Sequence, residues 1–236
     1  LNIMLRNLLF NVFFFLGIFF ISIIFLPSLI LPQSVVIFGG RLMGWWSGFC
    51  LKLILLTKIE IIGKENIIKN EKFFIAASHQ SMFETFFLQT IFNAPVFILK
   101  KELLLIPIFG WYLKKMGSIS IKRNKIDKEN LSFFSDIDKL VKETTRPLII
   151  FPQGTRVKPD ERPPFKKGAG RIFENLKISC QPIAINSGYV WPKQGLKKPQ
   201  KKITISILPG LNLNLDKDRF MKNLEELIYS ELDRIN

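Results

Sequence analysis

The single histidine of the chain, His79, stands five residues ahead of Glu84 in the run His79-Gln-Ser-Met-Phe-Glu84-Thr. The apolar run Phe73-Phe-Ile-Ala-Ala-Ser78 precedes it. That order puts His79 at a strand-to-helix turn. Residues five apart lie off each other's face on a regular helix. The pair therefore meets only if His79 sits in the loop and Glu84 in the first turns of the helix. A carboxylate beside an imidazole fixes the ring tautomer and stabilises the imidazolium formed on proton uptake, which makes a general base for a hydroxyl. From this turn alone, a cap or packing role at a helix start serves equally well.

Cations at other strand ends suggest an anionic substrate. Phe151-Pro-Gln-Gly-Thr-Arg156 follows the apolar run Pro147 to Phe151, and Gly117-Ser-Ile-Ser-Ile-Lys122-Arg123 is a strand candidate ending in two cations. Arginine offers a rigid fork of donors that matches phosphate oxygens. Gly154 permits close backbone approach and unusual dihedrals, Thr155 adds a hydroxyl, and Lys100 can act as a point charge. The alternative for each arginine is a surface ion pair. One histidine and two distant cysteines, Cys50 and Cys180, give no metal-ligand spacing and no disulfide framework, as in a reducing compartment. Ser81 offers a covalent route two residues from the base. A substrate hydroxyl deprotonated by the base would make it unnecessary, and a Gly-x-Ser-x-Gly elbow is missing.

The elements that must hold these residues follow from hydrophobic patterning. Strands are expected at Phe73–Ser78, Pro95–Leu99, Ser118–Ile121, Pro147–Phe151, Pro182–Ile185 and Ile203–Leu208. Helices are expected at Met82–Phe92, Ile108–Lys115, Asp127–Lys142, Gly168–Leu176 and Asp216–Ile235. Alternation of this kind predicts an α/β fold with a mixed, largely parallel sheet flanked by helices, whose ligands bind where strands end and loops begin.

The N-terminal part differs. Leu8 to Leu31 carries no charge, and Ser34 to Thr57 is interrupted only by Arg41 and Lys52, with Pro27 and Pro32 between the two apolar bodies. An apolar helical hairpin over residues 1–57 is expected to anchor a 58–236 catalytic domain to a membrane. Arg41 disfavours a deep second span, and Trp45 and Trp46 suit interfacial depth. Mean hydropathy is +0.22 and formal net charge +15. The surplus suits an anionic membrane, and the Lys-rich stretches at Lys166-Lys167 and Lys193 to Lys202 suit lipid head groups or another anionic partner. A nucleic-acid binder would also be basic, but the apolar anchor and the lack of a recognisable motif argue against nucleic acid.

The His79 turn resembles the His-x-x-x-x-Asp motif of the glycerolipid acyltransferases, notably the bacterial 1-acyl-glycerol-3-phosphate acyltransferases, with Glu84 where Asp is commoner. Gly117 to Arg123, Phe151 to Arg156 and Pro182-Ile-Ala resemble the remaining motifs in order and spacing, and Asn186-Ser-Gly-Tyr-Val-Trp191 resembles the bacterial branch. Gln153 stands where the family commonly has Glu, so it keeps hydrogen bonding but loses acid-base capacity. The resemblance implies that His79, supported by Glu84, moves an acyl group from acyl-CoA or acyl carrier protein to a lyso-phospholipid acceptor. It implies that Lys100, Arg123 and Arg156 face the acceptor's phosphate, and that no metal or other cofactor is needed. The implied place is the bacterial inner (cytoplasmic) membrane, with the catalytic domain on the cytoplasmic face. Transfer to another lyso-lipid, or a catalytically silent lipid-binding relative, are the alternatives.

Overall fold

The computed structural model describes residues 2–121, 128–211 and 213–236. Between 128 and 136 it describes the backbone, with the side chain of Ser135 alone. In chain order the elements are α1 (Ile3–Ile24), α2 (Gln33–Ile54), β1 (Lys58–Ile62), β2 (Phe73–Ala77), α3 (Phe83–Ile91) and β3 (Val96–Lys100). They continue with α4 (Phe109–Lys115), β4 (Ile119–Ile121), α5 (Lys128–Glu143), β5 (Leu148–Ile150), α6 (Gly168–Leu176), β6 (Ser179–Ile185), β7 (Lys202–Ile207) and α7 (Lys217–Ile235).

The described strands form one sheet in the order β1-β7-β6-β2-β5-β3-β4. Every neighbouring pair is parallel except β6 with β7. The expected mixed, largely parallel α/β fold is therefore present. Successive side chains alternate between the two faces. Ile75, Ile149, Ile183 and Ile205 enter a core shared with α1, α2 and α3. Phe74, Leu148, Cys180 and Ala184 enter a second core under α6, α7 and Ile137 of α5. Burial on both faces explains why β2, β5 and β6 read as apolar runs rather than alternating ones.

Most expected elements lie within a residue or two of their observed bounds. Two do not. β1 was not foreseen, because Lys58-Ile-Glu-Ile-Ile follows the apolar body of α2 without a turn signal. Its evidence is long-range: it pairs in parallel with β7, Lys58 beside Lys202. β6 begins at Ser179, three residues before the expected start at Pro182. Its whole length is buried beside β2, with Ala76 beside Pro182.

The two N-terminal helices are welded to the α/β body. Phe10 and Phe14 on α1 are fully or almost fully buried, and each meets the Trp191 ring edge-on at 5.0 Å. Asn7 Nδ2 donates to Lys197 O at 3.0 Å, and the Lys197 N–H donates back to Asn7 Oδ1 at 2.7 Å. Trp46 is partly buried between the two helices. Its ring lies over Gly17, where a Cβ would come within 2.0 Å of it, and its Nε1 donates to Phe14 O at 3.3 Å. Trp45 is the exposed member of the pair. On α2, Gly44 lets the helix approach α3 so closely that a Cβ there would come within 2.5 Å of Phe86 O. Arg41 donates to Gln89 O at 3.3 Å. Among the described helices α1 is the one long and apolar enough to cross a membrane.

Candidate active site at the carboxyl edge of the sheet

β2, β5, β3 and β4 run in one direction, so their carboxyl ends share one edge. The registers align Ala76 with Ile150 and Lys100 with Ile121. Just beyond that edge lie the loop carrying His79, the loop carrying Gln153 to Arg156, and Lys100. The sequence placed its candidates at strand ends, and the topology gathers those strand ends together. Arg123 lies outside the described residues.

His79 sits in the loop after β2, and Glu84 is the second residue of α3. The five-residue spacing is thus bridged as the turn required. His79 Nδ1 lies 3.9 Å from Glu84 Oε2, an ion-pair distance, longer than a hydrogen bond. The His79 side chain is 15% exposed and Glu84 is fully buried. A slightly exposed ring with its carboxylate buried behind it is the arrangement a base needs. The imidazole also stacks on Phe151, centroids 4.0 Å apart. Its backbone is clamped at both ends: the His79 N–H donates to Gln153 Oε1 at 2.6 Å, and the Val157 N–H donates to His79 O at 2.9 Å. Gln153 thus acts through its acceptor oxygen, as its type allows.

Glu84 does more than face the ring. Oε1 accepts from the Gln80 N–H at 3.0 Å, and both oxygens accept from the Ser81 N–H at 3.1 Å. The Ser187 hydroxyl donates to Oε1. One buried carboxylate thereby organises the whole turn. Burial pushes its pKa up from 4.5 to about 7, against the lowering effect of those hydrogen bonds. Gln80 Oε1 in turn accepts from the Gly188 N–H at 3.1 Å. These contacts tie the Asn186–Trp191 turn to the His79 turn, as the adjacency of β2 and β6 dictates. Sequence reasoning missed Ser187 as a partner of Glu84. The flanking pattern contained it, but a contact across 103 residues leaves no local signal. Ser81 is fully buried and its Oγ accepts from the Phe83 N–H at 3.1 Å at the entry to α3.

The neighbouring turn is built differently. Gly154 has φ +75°, a left-handed conformation that favours glycine, and its N–H donates to Phe151 O at 2.9 Å. Thr155 is exposed and Arg156 half-buried. Among the described residues, neither Arg156's guanidinium nor the Thr155 and Arg156 amides have a hydrogen-bond partner. Lys100 is exposed at the end of β3.

One surrounding expectation changes. Within the stretch Lys193 to Lys202, Lys197 is buried. Its Nζ donates to Asn11 Oδ1 at 2.7 Å and lies over the Phe10 and Trp191 rings, so it is a structural cation rather than part of an anion-binding patch. The Val157–Gly170 loop is bound down on α7, where Arg162 pairs with Asp233 and the Phe165 N–H donates to Glu225 Oε2.

Comparison with known proteins adds the decisive context to this geometry. The acyltransferase family matches residues 58–186, which include His79, Glu84, Lys100 and the Gln153–Arg156 turn. The chain belongs to the acyltransferase family. It is 31% identical over 186 residues to the 1-acyl-sn-glycerol-3-phosphate acyltransferase of Pseudomonas aeruginosa, covering 76% of this chain and 72% of that one. Proteins of the same name from Saccharomyces cerevisiae and Helicobacter pylori are also 31% identical, over 75% and 66% of this chain and 59% and 67% of theirs. The crystal structure of the 1-acyl-sn-glycerophosphate acyltransferase of Thermotoga maritima shares the fold, with a TM-score of 0.79 over 99% of this chain and 98% of that chain, at 21% identity.

Proposed function

We propose that this acyltransferase moves a fatty acyl group from an acyl thioester to the free hydroxyl of 1-acyl-glycerol-3-phosphate, giving phosphatidic acid. The carrying observation is the slightly exposed His79 ring backed by fully buried Glu84, both within the stretch that the acyltransferase family matches. The names of the relatives support the acceptor.

His79 takes the proton of the acceptor hydroxyl. The oxygen attacks the thioester carbonyl, the new C–O bond forms, and the C–S bond breaks. The imidazolium returns its proton to the departing thiolate. Glu84 holds the ring in place and stabilises its charged form. Negative charge on the carbonyl oxygen needs preorganised donors. The amides of His79, Gln80 and Ser81 are already committed, as is that of Gly154. The Thr155 and Arg156 amides are the donors left in this turn for the oxyanion. Lys100, Arg156 and, outside the described residues, Arg123 grip the acceptor phosphate, and Gly154 and Thr155 shape the cradle.

The donor is anionic whether acyl-CoA or acyl carrier protein, in keeping with a basic chain. Residues 1–57 serve as the membrane anchor of a 58–236 catalytic part. α1 is fastened to the body near both ends, at Asn7 and through Tyr112 Oη donating to Ser22 O at 2.6 Å. A helix so fastened lies along the body, which suits half-insertion from the cytoplasmic face of a bacterial inner membrane.

The test is an acceptor panel with both donor types: 1-acyl-glycerol-3-phosphate, its dephosphorylated counterpart, and lyso-lipids with larger head groups. Transfer to the phosphate monoester at a far higher kcat/KM is expected. Equal use of the dephosphorylated acceptor contradicts the reading.

A further inference from the structure

The segment between Lys100 and Lys115 reads Lys-Lys-Glu-Leu-Leu-Leu-Ile-Pro-Ile-Phe-Gly-Trp-Tyr-Leu-Lys-Lys. It folds as a 3-10 turn, Lys101–Leu105, followed by α4. Its inward side chains have partners. Leu104 and Leu113 pack on the core shared with α1 to α3. Tyr112 and Met116 pack with Val36, Phe25 and Leu29 at the tip of the helical hairpin. The outward side chains have none of this. Leu105 is 76% exposed and Trp111 52%, with Leu103, Ile106 and Phe109 also exposed. Five large apolar side chains open to water within nine residues form a patch that a water-facing surface does not keep without use.

The patch is continuous with the apolar surface of the hairpin. Tyr112 Oη reaches Ser22 O on α1, and Gln33 Nε2 donates to Lys115 O at 3.0 Å at the hairpin tip. There Ile24, Ile30 and Leu31 are exposed too. Lysines bracket the patch, Lys100 and Lys101 before it and Lys114 and Lys115 after it, against the single acid Glu102. An apolar bed between cations fits an anionic lipid leaflet, with rings and branched chains among the acyl chains and ammonium groups at the head groups. A helix of seven residues is too short to cross.

We propose that Leu103–Trp111 is a second bilayer-inserting element, separate from the N-terminal hairpin, that lays the carboxyl edge of the sheet on an anionic leaflet. Because it begins where β3 ends at Lys100, it sets the phosphate-facing cation at head-group height, so that a lipid acceptor enters sideways from the leaflet. The purpose rests on the acyltransfer reading, and the contact itself does not.

The test uses the full chain and reads the contact from labels, with turnover measured separately. Cys50 and Cys180 are buried, so a thiol-reactive, polarity-sensitive fluorophore can be directed to Leu105→Cys, to Trp111→Cys, and to Glu226→Cys on the exposed side of α7. With phosphatidylcholine–phosphatidylglycerol vesicles carrying acyl-chain quenchers, the first two labels are expected to shift to the blue and lose intensity. The label at residue 226 is expected to do neither. Labels at both 105 and 111 that stay water-like while the protein co-sediments with the vesicles overturn the proposal, as does failure of the labelled chain to sediment at all. An inactive protein whose labels insert contradicts the acyltransfer reading instead.

Discussion

The two turns of the site use their polar groups in opposite ways. In the His79 turn the backbone amides of His79, Gln80 and Ser81 all donate to side chains of the protein itself, and the carboxylate that takes two of them is fully buried. In the Gly154–Arg156 turn the Thr155 and Arg156 amides and the guanidinium have no described partner. A turn that satisfies itself is rigid before substrate arrives, which is what a base must be to act at a fixed distance. A turn with unspent donors is stable only because water reaches it, and it awaits an anion. The contrast suits the proposal above, in which the first turn moves the proton and the second holds negative charge, on the acceptor phosphate and on the oxyanion.

The largest effect expected from breaking this contrast, short of removing the base, comes at Glu84. Glu84→Gln keeps the size but cannot stabilise an imidazolium, and kcat is expected to fall roughly 10²-fold, at the low end of what general-base catalysis contributes. Steady-state kinetics check it, with acceptor KM little changed. Glu84→Ala goes further by stranding the Gln80, Ser81 and Ser187 donors, at about 1–3 kcal/mol for each unsatisfied group, and is expected to lower the unfolding midpoint as well as the rate.

The raised carboxyl pKa sharpens the same point. The folded chain holds the Glu84 proton up to about pH 7, whereas its ordinary value is 4.5. Glu84's contribution to stability is therefore full below about 4.5 and is lost as pH rises through about 7. The unfolding midpoint of the wild type, measured across that window, is expected to fall relative to Glu84→Gln. A parallel pair of curves contradicts the burial argument.

A smaller effect, and one of a different kind, is expected in the second turn. Arg156→Ala should raise acceptor KM by about tenfold, the scale of a charge-assisted hydrogen bond, with a lesser change in kcat. Gly154→Ala should raise it only a few-fold. The left-handed backbone there costs an alanine about 1 kcal/mol, and the new Cβ would stand 3.1 Å from Lys166 Cγ, a flexible chain that can move. An Arg156 variant that lost kcat at unchanged KM would erase the distinction between the turns.

Much of this was legible before any coordinates. The strand-turn-helix around His79 could be read because Phe73 to Ser78 is apolar throughout and the helix after it is amphipathic. What could not be read depends on contacts distant in sequence. β1 is a strand because β7 lies beside it. Trp46 is partly covered because Gly17 leaves room for its ring. Lys197 is a core cation because Asn11 and two rings receive it. Ser187 serves Glu84 because β6 pairs with β2. Gln153 looked like a loss of charge. Its work as an acceptor for the His79 amide needs no charge, and this became visible only with the two loops side by side.

The most direct measurement is acyl transfer by purified His79→Ala on vesicles, with acceptor binding and vesicle association followed on the same sample. The account predicts a loss of at least about 10²-fold in turnover, with acceptor and membrane still bound as in the wild type. Turnover within a few-fold of the wild type would contradict it, since no other residue of the turn is placed to take the proton.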